Sequence, residues 1–127
     1  MADPVLDASA LLALLQAERG AAAVAAVVRG SLVSAVNLCE VVGKLSEAGM
    51  PDAAIRAALD SLGLRVIPFD ELQAYAAGVL RTATKSEGLS LGDRACLALA
   101  RSMGAVAWTA DTAWSRVSVG VAVNVIR

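Results

Sequence analysis

The feature that most constrains the fold is an alternation of very short apolar runs with longer segments of helical periodicity. The short runs are Val5–Leu6, Leu32–Val33, Leu64–Ile67, Ala105–Thr109 and Val121–Ile126. A strand that is buried on both faces needs a continuous apolar run, as strands of parallel sheets do. Strands that alternate with helices also favour parallel pairing, because each crossover has room for a helix. The chain is therefore predicted to be an α/β protein with a mainly parallel central sheet flanked by helices.

The intervening segments carry the start and stop signals of helices, with glycines after several of them. The predicted helices cover about Ser9 to Glu18, Ala21–Arg29, Val36–Ala48, Pro51 to Leu62, Asp70 to Lys85 and Ser90 to Met103. Asp111–Ser115 is predicted to be a turn or a short helix. A length of 127 residues suits one domain with a real core. We therefore expect residues 1–127 to form a single domain.

The hydrophobic content of 57% raises the question of a membrane span. Uncharged stretches such as Ala8–Ala17 and Val117–Ile126 reach only ten residues, whereas a spanning helix needs about twenty apolar residues. No basic region precedes an apolar run at the N-terminus, so no signal peptide is predicted. We expect a cytoplasmic protein without membrane association, in which Cys39 and Cys96 are buried free thiols.

The chain contains no histidine, and this excludes several classes of catalytic site. A Ser-His-Asp triad, a Cys-His pair and an HExxH zinc motif are all impossible. Two isolated cysteines do not make a usual zinc site. Neither a GxxxxGK[ST] loop nor a GxGxxG turn occurs, so no nucleotide cofactor is expected. Any catalysis must rest on carboxylates, hydroxyls, Lys and Arg, with or without a hard metal ion.

Four acidic residues lie where an element that only builds a core would not place them. Asp7 and Asp111 follow predicted strands, while Glu40 and Asp93 interrupt the apolar helix segments "NLCEVVG" and "SLGDRACLALA". In open α/β sheets, ligands bind beyond the carboxyl ends of the strands, near the topological switch point. The two strand-end acids lie on that edge, and helices packed there would bring the other two toward it.

Each acid also has an ordinary structural explanation. Asp7 and Asp111 suit the N-cap position of a following helix. Ser90 and Asp93 have the spacing of a capping box, and Glu40 forms an i,i+4 pair with Lys44. The residues alone leave the structural and the functional interpretation open.

Four segments of the chain resemble the signature segments of PIN-domain ribonucleases. They are "VLDASALLAL", "NLCEVVGKL", "LSLGDRACLALA" and "AWTADTAW", and they occur in the family's order over nearly the whole chain. The chain is most similar to the small VapC-like toxins of bacterial toxin–antitoxin pairs. The resemblance implies a PIN-like three-layer sandwich and an endoribonuclease that hydrolyses RNA phosphodiesters through a metal-activated water.

The resemblance also implies a site and partners. It implies one or two Mg²⁺ or Mn²⁺ ions, a cognate protein antitoxin and a homodimer. The catalytic acids that it implies are Asp7, Glu40, Asp93 and Asp111. Of these, Asp7, Asp93 and Asp111 would bind the metal, and Glu40 would bind it directly or through water. Ser9 and Thr109 match the family's small hydroxyl positions and would have supporting roles. Asn37 is not part of that match: it lies one helical turn before Glu40, and it either faces the pocket as a further supporting residue or is simply a polar residue near the start of a helix.

An acidic pocket repels RNA unless cations surround it. The candidate cations for this rim are Lys44, Arg81, Lys85, Arg94 and Arg116. Trp114 suits either stacking on a base or packing, and Tyr75 is predicted to pack. The net charge of −1 means that any RNA-binding surface is a local patch.

Three rival functions fit parts of the pattern. A receiver-like regulator needs an adjacent acidic pair near the first strand, but Asp3 and Asp7 lie on opposite sides of that strand. A haloacid-dehalogenase-type phosphatase needs D-x-D, and "LDAS" lacks the second acid. A PIN-fold scaffold or regulatory binding domain without nuclease activity stays open as the alternative.

Overall fold

The structure is a computed structural model that describes residues 3–127. Its strands are β1 (Val5–Leu6), β2 (Leu32–Ser34), β3 (Arg65–Ile67), β4 (Ala107–Thr109) and β5 (Val123–Val125). Its helices are α1 (Ala8–Leu15), α2 (Ala21–Val27), α3 (Ala35–Glu47), α4 (Asp52–Asp60), α5 (Glu71–Thr84) and α6 (Leu91–Met103). Two short 3-10 helices cover Lys85–Glu87 and Thr112–Arg116.

The five strands form one sheet in the order β3-β2-β1-β4-β5, and each neighbouring pair is parallel. Val5 of β1 pairs with Leu32 on one side and with Ala107 on the other. The chain builds outward from β1 to β3 in one direction and then returns to add β4 and β5 on the other side. The topological switch point therefore lies between β1 and β4, where ligand sites of such sheets occur.

Two apolar cores, one on each face of the sheet, make the three layers. Val5 and Leu32 pack in the core that includes residues of α5 and α6. Leu6 and Val33 pack in the core that includes residues of α1, α2, α3 and α4. Successive strand residues point to opposite faces, so both residues of β1 are fully buried. The predicted α/β sandwich with a parallel sheet is confirmed; β1 is buried on both faces as predicted, whereas Arg65 and Val66 of β3 are exposed.

Most predicted helix starts are confirmed by their capping residues. Asp70 caps α5 through the N–H of Gln73, and Ser90 begins α6 with a complete capping box. The first helix is shorter than predicted: it ends at Leu15, because Ala17 takes a φ of 53° that an α-helix cannot contain. Within residues 3–127, no helix combines the length and the apolar character that crossing a bilayer requires.

Candidate active site

The carboxylate of Asp7 lies at the switch point, directly beyond β1, and is 3% exposed. Its Oδ1 accepts the N–H of Ala10 at 2.8 Å, so Asp7 is the N-cap of α1. Ser9 Oγ lies 2.8 and 2.9 Å from the two carboxylate oxygens, and Thr109 Oγ1 donates to Oδ2 at 2.6 Å. The cap prediction is thus confirmed, and two hydroxyls named from the sequence hold the same carboxylate in place.

Burial raises the pKa of Asp7 from 3.8 to about 6. Desolvation is the largest cause, and hydrogen bonds from Thr109, Ala10 and Ser9 oppose it. The nearby charge of Asp93 raises the pKa further. The carboxylate is therefore ionised at neutral pH at an energetic cost, and a cation bound beside it would lower that cost.

Thr109 links Asp7 to Asp111. Its Oγ1 donates to Asp7 and accepts the backbone N–H of Asp111 at 3.0 Å. Asp111 lies just beyond β4 at the same sheet edge, and its Oδ1 accepts the N–H of Ala113 at 2.9 Å. Asp111 therefore caps the 3-10 helix, as one interpretation of the sequence predicted, while its side chain stays exposed.

Asp93 lies in the first turn of α6 and is half-buried. Its Oδ2 accepts the N–H of Ser90 at 2.9 Å, and its own N–H donates to Ser90 Oγ at 3.2 Å. This is the predicted capping box, and it fixes the carboxylate at the helix N-terminus. The Asp93 charge also acts on the pKa of Asp7, so the cap residue lies near the buried acid.

Glu40 on α3 lies against the first turn of α6. Its Oε1 accepts a hydrogen bond of 2.9 Å from Nδ2 of Asn37, which is buried. The same Nδ2 donates to the carbonyl of Gly92 at 3.0 Å. Glu40 and Lys44 do not form an ion pair in the described part of the chain, so that ordinary explanation of Glu40 is wrong.

The charges of three of the four predicted acids act on one buried thiol. Burial raises the pKa of Cys96 well above its usual value, and the charges of Asp7, Asp93 and Glu40 raise it further, in that order. Asp111 does not act on this thiol. Asp7, Asp93 and Glu40 therefore lie within electrostatic range of Cys96, and Thr109 links Asp7 to Asp111 by hydrogen bonds.

The chemistry of these donors fits Mg²⁺ or Mn²⁺, because they are carboxylate and hydroxyl oxygens. Among residues 3–127, however, no group of three or more acidic, histidine or cysteine side chains is close enough to form a ready-made metal cage. Mg²⁺ keeps several waters and often uses one or two carboxylates directly. The arrangement thus fits a hydrated ion, and a common metal site for the four acids stays a prediction.

The five predicted rim cations have different surroundings. Lys44, Arg81 and Lys85 are exposed and form no salt bridge with another residue of the described range. Arg116 Nε lies 3.0 Å from Glu87 Oε2. Arg94 Nη1 donates to the carbonyl of Ala77 at 3.0 Å and so connects α6 to α5. Contact of any of them with RNA stays a prediction.

The structure also decides the burial of three further side chains, those of Trp114, Cys39 and Tyr75. Trp114 is fully buried in the core, so it packs and does not offer a stacking surface. Cys39 is exposed and Tyr75 is 73% exposed, so both burial predictions are wrong. Gly92 was not predicted as a site residue, although a glycine in the first turn of a helix, where alanine is more stable, is a signal for one.

A family model for the PIN domain matches residues 5–120. The chain belongs to the PIN domain family. A comparison with curated proteins finds no match. Among solved structures, this PIN domain is similar to a toxin–antitoxin complex from Klebsiella pneumoniae, at 19% identity and a TM-score of 0.76, covering 98% of each chain. It is also similar to DNA-bound VapBC from Salmonella typhimurium, at 16% identity and a TM-score of 0.76, covering 100% of each chain.

A third similar structure is VapBC2 from Rickettsia felis bound to a promoter DNA fragment. Its identity is 18% and its TM-score is 0.70, covering 95% of this chain and 96% of that one. At such identities the likeness concerns the fold, and it confirms the predicted PIN-like architecture. PIN domain membership also agrees with the resemblance drawn from the four sequence segments.

Proposed function

We propose that this PIN domain is a metal-dependent endoribonuclease and the toxin of a toxin–antitoxin pair, acting in the cytoplasm. The observation that carries the proposal is the buried Asp7 carboxylate at the switch point, which the Ser9 and Thr109 hydroxyls hold and on which the charge of Asp93 acts. Clustered, partly desolvated carboxylates are unfavourable without a cation. A domain that only has to fold does not require such carboxylates, whereas a hydrolytic metal site does.

The side chains have distinct roles in this proposal. Asp7 is the principal negative group, and the hydroxyls of Ser9 and Thr109 fix its orientation by direct hydrogen bonds. Asp93 and Glu40 add negative charge from α6 and α3. One or two Mg²⁺ or Mn²⁺ ions would be held by Asp7, Asp93 and Asp111, with Glu40 directly or through water, and would supply Lewis-acid stabilisation of the phosphodiester and a nucleophile at neutral pH.

Binding of RNA needs cations outside the acids. Lys44, Arg81 and Lys85 suit this role best, because they are exposed and have no acidic partner in the described range. With a net charge of −1 the whole chain attracts RNA weakly, so contacts to phosphates come from local side chains.

An apolar groove between α3, α4 and β3 supports a protein antitoxin as partner. It has a volume of about 630 Å³, and the residues that line it include Leu38, Val42, Ile55, Leu59, Leu64 and Val66. Leu38 and Val42 lie one turn apart on α3, and Glu40 points to another side of that helix, so an apolar segment in the groove would have to continue around α3 to reach the acids. A cationic side chain at its end would then replace the charge of the metal. The similar structures from Klebsiella, Salmonella and Rickettsia are toxin–antitoxin assemblies.

A stripe on the outer face of α5 supports a homodimer. Leu72, Tyr75 and Val79 are 79%, 73% and 72% exposed, and their spacing places them on one side of the helix. An apolar helix face suits pairing with a second copy of the chain about a two-fold axis, because the same surface of both copies then forms the interface. We name this surface, formed by these three residues, the α5 stripe.

The activity is tested with the purified chain and an end-labelled RNA of mixed single- and double-stranded segments. Internal cleavage is expected with Mg²⁺ or Mn²⁺, leaving 5′-phosphate and 3′-hydroxyl ends, and excess EDTA should abolish it. Asp7→Asn is the matched inactive variant, since it removes one charge and keeps the side-chain shape. Cleavage that survives EDTA, or that persists in Asp7→Asn, contradicts the proposed mechanism.

The alternative of a PIN-fold scaffold without nuclease activity also has an observation in its favour. Asp7, Asp93 and Asp111 all cap helices, and no cage of three ligands exists among residues 3–127. This alternative predicts no binding of Mn²⁺ in calorimetry at millimolar concentration and no cleavage of any RNA. Binding of the antitoxin would then be the only function of the domain.

A further inference from the structure

We propose that Asn37 is a positioning residue that fixes the Glu40 carboxylate over Gly92, in the neighbourhood of Asp7 and Asp93. This inference rests on the proposed function. Asn37 is 1% exposed, and its Nδ2 donates to Glu40 Oε1 at 2.9 Å and to the Gly92 carbonyl at 3.0 Å. We call these two hydrogen bonds the Asn37 clamp. It joins α3 to the first turn of α6.

The chemistry of the clamp determines how the amide is oriented. The carboxylate and the carbonyl are both acceptors, so only the NH₂ group of Asn37 can face them, and its two hydrogens serve one acceptor each. The opposite orientation would place Oδ1 against two other oxygens. In the adopted orientation Oδ1 is buried and has no donor among residues 3–127. The hydrogen bonds that the described residues give this buried amide are therefore the two of the clamp, and both hold Glu40 and α6 together.

Gly92 provides a second, independent observation. A Cβ at this position would overlap the carboxylate group of Glu40, so the carboxylate occupies the space that any other side chain would need. Gly92 does not have a positive φ, and glycine lowers the stability of a helix relative to alanine. The backbone therefore does not require glycine, but the position of Glu40 does.

The two observations concern the same carboxylate. Asn37 holds Glu40 at one place by a hydrogen bond, and Gly92 admits it there because it has no side chain. Glu40 is otherwise an exposed side chain on α3, free to adopt several rotamers in solvent. Residues that orient a metal-binding carboxylate commonly change metal affinity when they are replaced. The clamp thus orders Glu40 before any ion binds.

The test uses Mn²⁺ binding by calorimetry and RNA cleavage, with Asn37→Leu in the parent and in a Glu40→Ala background. Asn37→Leu should weaken Mn²⁺ binding about tenfold in the parent and should have no further effect when Glu40 is absent. An equal loss in both backgrounds means that Asn37 only joins the two helices, and it overturns the proposal. Thermal melting should show that Asn37→Leu is folded.

Gly92→Ala moves the same carboxylate by another route and does not depend on the folding of Asn37→Leu. It should weaken Mn²⁺ binding about tenfold while the melting temperature stays equal or rises, because Glu40 can turn into solvent. Gly78→Ala is the matched control, since a Cβ there has no atom within 4 Å. It should leave Mn²⁺ binding unchanged. Parent-like Mn²⁺ affinity in Gly92→Ala overturns the proposal.

Crystal structures of the metal-free parent and of Asn37→Leu separate this inference from the proposed function. The Glu40 carboxylate should lie over Gly92 in the parent and should leave that place in the variant. A carboxylate that stays over Gly92 in Asn37→Leu overturns the clamp even if the parent is a nuclease. If the parent binds no Mn²⁺ and cleaves no RNA, the proposed function fails, and these structures still decide whether Asn37 positions Glu40.

Discussion

Thr109 Oγ1 lies 2.6 Å from Asp7 Oδ2, and this hydrogen bond joins the carboxyl ends of β4 and β1 across the switch point. It lowers the pKa of a carboxyl group that burial raises. The hydroxyl therefore favours the ionised form of Asp7, which is the form that binds a cation.

Thr109→Val should raise the pKa of Asp7 above about 6, since valine keeps the shape of threonine and removes the donor. The acidic limb of the pH profile of cleavage should shift to higher pH. A hydrogen bond to a charged group contributes about 1.5–3 kcal/mol, so cleavage at pH 6 should fall more than cleavage at pH 8. Thr109→Ser restores the donor and should restore the profile. An unshifted profile in Thr109→Val contradicts the role of this hydroxyl.

Asp7 should make the metal-free protein less stable as the pH rises through a defined window. Its pKa is 3.8 in the unfolded chain and about 6 in the fold, so the folded state binds more protons between these values. The contribution of Asp7 to stability is complete below the lower value and is lost by the upper one. A shift of about 2 units corresponds to roughly 3 kcal/mol. Urea unfolding from pH 3.5 to 7 measures this loss.

Asp7→Asn is the reference for that measurement, because it cannot ionise. The unfolding free energy of the parent, relative to that of Asp7→Asn, should fall as the pH rises through the window and should stay constant above pH 6.5. Saturating Mg²⁺ should oppose the loss in the parent, since it binds the ionised carboxylate. A pH-independent difference contradicts the raised pKa.

The fold was predictable from local pattern because the central strands β1 and β2 are buried on both faces. Val5 and Leu6 face different cores, so a two-residue apolar run was enough to indicate β1. The burial of Cys39 and Tyr75 was predicted wrongly for one reason. An apolar residue on a helix reveals its type but not its face, and α3 and α5 carry apolar residues on more than one face.

The site was predictable only in part. Asp7 follows a strand that the sequence marks, whereas Ser9 and Thr109 were implied by the resemblance to PIN-domain ribonucleases, and the structure places both hydroxyls in hydrogen bonds with the Asp7 carboxylate. Asn37 lies one helical turn before Glu40, and this spacing is visible in the sequence. The complete clamp was not predictable, because its second hydrogen bond joins residues 55 positions apart. A local pattern carries no information on which helix packs against α3 or on where the Gly92 carbonyl lies.

Asp93 has two roles that a pair of substitutions can separate. Asp93→Ala removes both the cap acceptor for the Ser90 N–H and the charge, whereas Asp93→Asn keeps an oxygen for the cap. Asp93→Ala should lower stability by about 1 kcal/mol, and Asp93→Asn should lower it less. Both should lose cleavage and Mg²⁺-dependent stabilisation. Thermal melts with and without Mg²⁺, run beside the cleavage assay, measure both effects.

Ser90→Ala is the matched control for Asp93. It removes the acceptor of the Asp93 N–H and leaves the carboxylate, so stability should fall by about 1 kcal/mol while cleavage persists. If Asp93→Asn cleaves RNA like the parent, Asp93 serves only as a cap. The shared-site prediction then fails for this residue.

The α5 stripe should control the oligomeric state. Tyr75 lies between Leu72 and Val79 and is 73% exposed, so Tyr75→Glu places a charge at the centre of the proposed interface. Loss of a central aromatic anchor commonly removes about 2 kcal/mol or more of binding free energy, which is over tenfold in the dissociation constant. Light scattering across a concentration series should give a dimer for the parent and a monomer for Tyr75→Glu at the same micromolar concentration.

Ala74→Glu is the control for added charge, because Ala74 is exposed on α5 about 100° around the helix from Tyr75. It should leave the dimer intact. The melting temperature of the Tyr75→Glu monomer at low concentration should match that of the parent under the same conditions, since an exposed side chain contributes little to its own fold. A parent that is monomeric at every concentration, or equal dissociation in both variants, removes the α5 stripe as a dimer interface. The metal-site predictions do not depend on this result, because none of the stripe residues contacts Asp7, Glu40 or Asp93 through a hydrogen bond in the described range.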